Sequence, residues 1–167
     1  VELSSFQLKS LGDIKISPRI AIVTNITPNH LDWHKTLADY KSSKQNILRY
    51  QTTQDYAILC LECNALKEWT ALSKGNQYFY SSAKKKHIPL TVPGNHNQTN
   101  AYGALTAAKI LGIQTTDGIK ALQSYQGLPH RLEKVKNVSG VAYYNDSIAT
   151  TPESTLCAIK SLGDRNI

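Results

Sequence analysis

One lysine in this 167-residue chain is placed to do unusual chemistry. Between Leu37 and Arg49 the apolar residues Leu37, Tyr40, Ile47 and Leu48 recur at helical spacing. Lys44 follows Tyr40 by one turn and precedes Ile47 and Leu48 by another, so helical geometry puts it on the same inward face. Lys35 and Lys41 fall elsewhere. Burial disfavours an ammonium and lowers the pKa of its amine. A neutral amine can add to carbon dioxide and become a carbamate, a carboxylate-like metal ligand. The competing reading is a lysine that buries its stem and keeps its head in water.

Two further groups could share a site with it. His30 stands in a polar loop, Thr27 to His34, immediately after a β-branched run, with Asp32 and His34 beside it. In open parallel sheets ligands bind beyond the carboxyl ends of strands, so a metal or phosphate role suits His30. Glu2 follows a strand-like start and precedes Ser4 and Ser5. A carboxylate, an imidazole and a carbamate together suit a Mg²⁺ ion that keeps waters and substrate phosphates as its other ligands.

A second set lies downstream. Asn97 and Asn100 sit one turn apart near a helix start. Their amides can both give and accept hydrogen bonds with a purine edge, or they can cap the helix. Arg131, next to His130, falls in a pattern-breaking segment where a guanidinium could clamp phosphate as domains close. Asp146 ends an apolar run, where a carboxylate suits ribose hydroxyls or a metal.

The elements that must position these groups alternate between strand and helix, which predicts an α/β fold with a mostly parallel sheet. Strands are expected at 19–26, covered on both faces, at 55–61 and at 78–80, with Val1 to Leu3 as the end of another. Helices are expected at 37–49, 64–73, 96–111 (closed by Gly112 at C′), 117–124 and 152–162, the last with Pro152 at N1. Residues 135–145 read as a hairpin. The segment Gln126 to Arg131 breaks the pattern and is the candidate domain boundary.

Composition narrows the function classes. The net charge is +7, which suits a phosphate-bearing partner. The basic residues form no stripe, the densest run (Lys84–Lys86) reads as a solvated loop, and the aromatics form no stacking platform, so nucleic acid is not expected. No apolar run approaches the roughly 20 residues of a membrane span. Three cysteines argue for a reducing compartment, hence a cytoplasmic location. Cys60 and Cys63 have no second pair to complete a zinc site and read as structural. The absence of methionine and the abrupt start suggest the middle of a longer protein.

The motifs in order carry a family resemblance. Glu2-Leu3-Ser4-Ser5-Phe6-Gln7-Leu8, Asn25-Ile26-Thr27-Pro28-Asn29-His30-Leu31-Asp32 and Tyr40-x-x-x-Lys44 resemble the central domain of the Mur ligases. Gly94-Asn95-His96-Asn97-x-x-Asn100 resembles their nucleotide-binding helix start. Gly127-Leu128-Pro129-His130-Arg131-x-Glu133 and Asn145-Asp146-Ser147-x-Ala149-Thr150 are similar to the member that adds D-glutamate.

The resemblance implies an ATP-dependent carbon–nitrogen ligase of peptidoglycan synthesis, acting as a monomer. It would join D-glutamate to UDP-N-acetylmuramoyl-L-alanine through an acyl phosphate. It implies residues 1–127 as the later part of a P-loop-type central ATP-binding domain and 128–167 as the start of a Rossmann-like C-terminal domain. Glu2, His30 and carbamylated Lys44 would hold Mg²⁺. Asn97 and Asn100 would contact the nucleotide, Arg131 its phosphates and Asp146 its ribose. Ser4 and Gln7 would face the UDP-linked substrate and Thr150 the D-glutamate. Two positions depart from the family pattern: Ile148 stands where lysine is usual and Thr151 where asparagine is common. Another Mur-type or a folylpolyglutamate-type ligase is the alternative.

Overall fold

The computed structural model describes residues 1–163. The chain divides into two compact units, Val1–Ser81 and a second beginning at Ser82. The first unit runs α1 (Ser5–Asp13), β1 (Ile20–Val23), α2 (Leu31–His34), α3 (Leu37–Arg49), β2 (Tyr56–Cys60), a 3₁₀ segment (Asn64–Leu72) and β3 (Asn76–Tyr80). The second runs α4 (Asn95–Ile110), α5 (Thr115–Ser124), β4 (Glu133–Val138), β5 (Val141–Asn145) and α6 (Pro152–Leu162).

In the first unit the three strands form a parallel sheet in the order β1-β2-β3. Ile20 pairs with Tyr56 and Val23 with Leu59, while Tyr56 pairs with Asn76 and Cys60 with Tyr80. The central strand carries the core: Ala57, Ile58, Leu59 and Cys60 are all buried. Leu8, Leu48, Leu66 and Trp69 complete it. Each fully buried leucine or isoleucine contributes roughly 1.5–3 kcal/mol.

The first strand is shorter than its apolar run. Its ladder ends at Val23 opposite Leu59, and residues 24–29 leave the sheet to carry His30. Ala21 and Val23 are buried but Ile22 is exposed, so only one face is covered and the expected two-sided burial belongs to β2 alone. Val1 to Leu3 form no strand, because they find no ladder partner among the described residues. They lead instead into α1, which the apolar pattern did not announce. Leu37, counted among the inward residues of α3, is exposed; Ser43 and Asn46 take buried positions on that helix. Residues 64–72 wind as a 3₁₀ helix rather than an α-helix.

α1 lies against α3 through a gap left by a missing side chain. A Cβ on Gly12 would run into the Asn46 side chain. Asn46 uses the space to donate from Nδ2 to the Leu8 carbonyl (3.1 Å) and to accept from Arg49 at Oδ1 (2.9 Å). Ser17 closes the other end, donating to the Asn46 carbonyl (2.6 Å) and accepting from the Tyr50 amide (3.0 Å).

In the second unit α4 and α5 pack as a helical pair, and β4 and β5 form an antiparallel hairpin with a bulge between Lys134 and Lys136. Ser139 and Gly140 both take positive φ (51° and 85°), the twist that a two-residue hairpin turn requires. Pro152 opens α6 after Thr151, which caps it by a reciprocal pair with Ser154. The Gln126–Arg131 break lies inside this unit, as the connection from α5 to β4. Among the described residues no helix is long and apolar enough to cross a membrane.

Candidate active site

In the first unit, α3 turns Lys44 inward between Tyr40 and Leu48, which are 4% and 0% exposed. Lys44 itself is half-buried, with Nζ 5.8 Å from the Tyr40 ring centroid. Loss of water pushes its pKa below the ordinary lysine value, and the negative charge of Glu2 opposes that shift. Glu2 and Lys44 therefore feel one another although α1, β1 and α2 separate them in sequence.

His30 approaches the same region from a different segment. Its φ is +52°, left-handed backbone that a non-glycine residue rarely adopts and that often marks a functional position. The Asn29 side chain accepts from the His30 amide (2.8 Å), and the His30 carbonyl accepts from the Trp33 and His34 amides, starting α2. The ring packs against Phe6, 5.0 Å between centroids. Phe6 stacks on His34 (5.6 Å) and meets Trp33 edge-on (4.8 Å), and His34 meets Tyr40 edge-on (5.4 Å). One aromatic cluster thus has His30 at one margin and Lys44 at another.

Ser4 and Gln7 take up a local structural task. Ser4 is the N-cap of α1: its Oγ accepts from the Gln7 amide (3.3 Å), and Gln7 Oε1 accepts from the Ser4 amide (2.8 Å) and hydroxyl (3.0 Å). Glu2 stands just ahead of this capping box.

In the second unit the two downstream motifs meet. The Asp146 carboxylate accepts from the Leu132 amide (2.8 Å), and Asn145 bonds the His130 ring (2.9 Å). The Ile148 amide donates to the His130 carbonyl (3.2 Å), and Glu133 accepts from the His130 amide (2.8 Å). His130 and Leu132 both take positive φ, and those bonds hold the turn, with Leu132 buried beneath it. Arg131 projects from it, exposed. Its positive charge and that of opposite sign on Asp146 both reach His96 on α4. Crowding around the imidazole strips water from it and lowers its pKa, although the residue as a whole stays exposed; Asp146 opposes the shift and Arg131 adds to it.

α4 itself begins at Gly94, with φ +104°. A Cβ there would strike the Ser161 hydroxyl and the His96 ring, so both conformation and space demand glycine. Neither Asn97 nor Asn100 caps the helix; Gly94 is the cap. Asn97 donates to the Pro93 carbonyl (2.6 Å) and Asn100 is exposed one turn on. Thr150 is exposed in the turn before the α6 cap.

The proposed site residues thus fall into two groups, Glu2, Ser4, Gln7, His30 and Lys44 in one unit and Asn97, Asn100, Arg131, Asp146 and Thr150 in the other. A small apolar cavity of about 100 Å³ beside β2 is lined by Leu59, Leu66 and Phe79 among others and by none of them. Among the described residues no three His, Cys, Asp or Glu side chains gather as a metal site. Glu2 and His30 supply one anionic and one neutral donor, and an ammonium at Lys44 would repel a dication. A carbamate at Lys44 reverses that charge, so the set fits Mg²⁺ only with Lys44 modified. Cys60 and Cys63 are free thiols, Cys60 buried on β2.

Two functional candidates escaped the sequence reading. His96 was part of a motif without a role of its own. Ser5 and His34, both buried, and the half-buried Asp39 form a hydrogen-bonded chain that no local spacing reveals.

Residues 1–88 match the Mur ligase middle domain. The chain belongs to the Mur ligase family. It is 34% identical over 191 aligned residues to the UDP-N-acetylmuramoylalanine--D-glutamate ligase of Acetivibrio thermocellus, covering 100% of this chain and 40% of that protein. To the ligase of the same name from Oenococcus oeni it is 36% identical over 180 residues, covering 96% and 41%. The chain therefore spans about two fifths of the length of the Mur ligases it matches. Among solved structures, MurF from Acinetobacter baumannii superposes with a TM-score of 0.77 at 20% identity, over 97% of this chain and 40% of that one. MurF from Thermotoga maritima, solved in complex with ADP, gives 0.73 at 17% identity over 96% and 42%. At such identities these two Mur ligases bear on fold alone, and the parallel α/β sheet agrees with theirs.

Proposed function

We propose that the protein carrying this chain is an ATP-dependent ligase that joins D-glutamate to UDP-N-acetylmuramoyl-L-alanine in peptidoglycan precursor synthesis. The observation that carries this reading is that the D-glutamate-adding relatives match the chain from end to end, through both groups of site residues rather than the middle domain alone. Within the longer protein, 1–127 is the later part of the central ATP-binding domain and 128–167 the start of the C-terminal domain. The enzyme acts as a cytoplasmic monomer on small molecules.

The reaction is a carboxylate attack on the γ-phosphate of ATP, which releases ADP and leaves an acyl phosphate. The amine of D-glutamate then attacks the acyl carbon and inorganic phosphate departs. Glu2, His30 and a carbamate on Lys44 would hold Mg²⁺, which supplies positive charge against the transferring phosphoryl group. The half-buried setting of Lys44 favours the neutral amine that carbamate formation needs. Asn97, Asn100 and Asp146 contact the nucleoside and Arg131 the phosphates. Ser4 and Gln7 face the UDP-linked substrate, and Thr150 the incoming amino acid. With Ile148 in the usual lysine position, Arg131 is the cation that the Asp146 turn presents.

The test is ADP release by the full-length protein with ATP and UDP-N-acetylmuramoyl-L-alanine. D-Glutamate is expected to be required. Release that instead needs L-lysine or meso-diaminopimelate would reassign it within the family, and release with a folate substrate would move it to the folylpolyglutamate type.

A further inference from the structure

The three groups read as metal ligands arrive on three separate segments: Glu2 ahead of α1, His30 at the start of α2 and Lys44 on α3. A metal site tolerates little error in the placement of its donors, so something must fix those segments to one another. The structure holds one residue bonded to all three, by its side chain to two of them and by its backbone amide to the third. His34 is the last residue of α2, and its side chain is fully buried. Nε2 lies 2.9 Å from Ser5 Oγ on α1, itself 2% exposed. Nδ1 lies 3.1 Å from Asp39 Oδ2 on α3. The backbone amide of His34 donates to the His30 carbonyl (3.0 Å). Phe6, Trp33 and Tyr40 surround the ring, leaving it no room to turn.

Serine, histidine and aspartate in hydrogen-bonded series are the parts of a nucleophilic triad. Here the serine is only 2% exposed, so its hydroxyl is sealed from a substrate. Both ring nitrogens already have partners. Asp39 Oδ2 can only accept, so Nδ1 donates to it, and Nε2 is paired with the Ser5 hydroxyl. What remains for the chain is geometry. Ser5 stands three residues after Glu2, His34 four after His30, and Asp39 five before Lys44. Every donor of the proposed site therefore sits within about one or two helical turns of a member of this chain.

We propose that His34 is a positioning residue that sets Glu2, His30 and Lys44 in register for the cation through its bonds to Ser5 and Asp39. The proposal rests on the ligase reading for the identity of the metal site, yet its test reads metal binding directly. The probe is Mn²⁺ without nucleotide, followed by its EPR signal in the full-length protein, alongside the carbamate resonance formed from ¹³C-bicarbonate. His34→Phe keeps an aromatic ring and removes both bonds; it is expected to weaken Mn²⁺ binding by about ten- to a hundredfold and to diminish the carbamate signal. Ser5→Ala breaks one link and gives a smaller loss of the same kind, which keeps the test open if His34→Phe fails to fold. Asp39→Asn retains an acceptor and is expected to bind Mn²⁺ nearly as the parent does, where Asp39→Ala does not. Ser17→Ala removes part-buried hydrogen bonds at the far end of α3 and serves as the stability control.

Unchanged Mn²⁺ affinity in Ser5→Ala and in folded His34→Phe overturns the proposal and leaves the ligase reading standing. Equal loss in Ser17→Ala also overturns it, because the effect is then one of general stability. Absence of D-glutamate-dependent ADP release overturns the ligase reading, while the Mn²⁺ comparison still decides on His34. Failure of the parent protein to bind Mn²⁺ overturns both.

Discussion

The two units hold their site residues by different means. In the first, Lys44 and His30 are set by a packed core and a polar chain whose serine and histidine are buried. Leu8, Leu48, Ile58 and Leu59 are each at most 1% exposed, and Asn46, Ser43 and His34 are buried with partners. In the second, the exposed Arg131 and half-buried Asp146 stand on a turn held by amide-to-side-chain bonds, while Val135, Val141, Tyr143, Leu156 and Ile159 lie open to solvent. Rigidity in the first comes from excluded water and filled volume. In the second it comes from a handful of directional bonds. The proposed roles suit this difference: a site for a small hard cation needs the former, and a turn that would reach a nucleotide and release it can work with the latter.

That contrast can be broken or sharpened by substitution. Leu48→Ala should destabilise the first unit by about 2–5 kcal/mol, because the cavity it leaves cannot collapse; chemical denaturation of the full-length protein measures it. Lys44→Ala should cost at least ~100-fold in ligase turnover with the melting temperature little changed, and near-normal turnover would sink the carbamate. Asp146→Ala frees the Leu132 amide from its acceptor and should cost roughly 1–3 kcal/mol locally. Calorimetry with ATP should show weaker nucleotide binding, while Mn²⁺ binding in the first unit stays as in the parent.

Two smaller effects complete the series. The hydrogen bond from His34 holds the Asp39 carboxyl below its ordinary pKa, with Lys9 at 3.3 Å adding to the shift. A lowered folded-state pKa adds stability above the ordinary aspartate value, and that stability is lost as pH falls through the folded pKa. Asp39→Asn should therefore lower the melting temperature slightly in the neutral range, where the carboxylate's contribution is lost, flatten the acid limb, and converge with the parent at low pH. Leu156→Ala, at a side chain 54% exposed, should stay within ~0.5 kcal/mol of the parent. A large loss there would mean the second unit is packed more like the first.

Sequence periodicity reached part of this. The bounds of α3 and α6 were legible because each carries an explicit start: Thr36 accepts from the Asp39 amide, and Thr151 precedes Pro152. The inward face of Lys44 followed from helical geometry alone. α1 was missed because Phe6 and Leu8 alternate like a strand while Leu8 and Leu11 are spaced like a helix. The Ser4-x-x-Gln7 capping box was the signal that could have settled it. The shortening of β1 depends on where its neighbour ends, which a local pattern does not encode. His34 drew attention only as a neighbour of His30, since Ser5 lies 29 residues away and meets it only through the fold.

The notch at Gly12 has a consequence for how this protein can vary. A methyl group at position 12 collides with Asn46, and shortening Asn46 removes its bonds to the Leu8 carbonyl and from Arg49. Each change alone is harmful, and a compatible pair must also move α1 away from α3. Position 12 is thus tied to position 46 more tightly than to its own neighbours. A directed-evolution library that diversifies one of the two without the other should return the parental residue at it, and viable exchanges should appear only in libraries that randomise both.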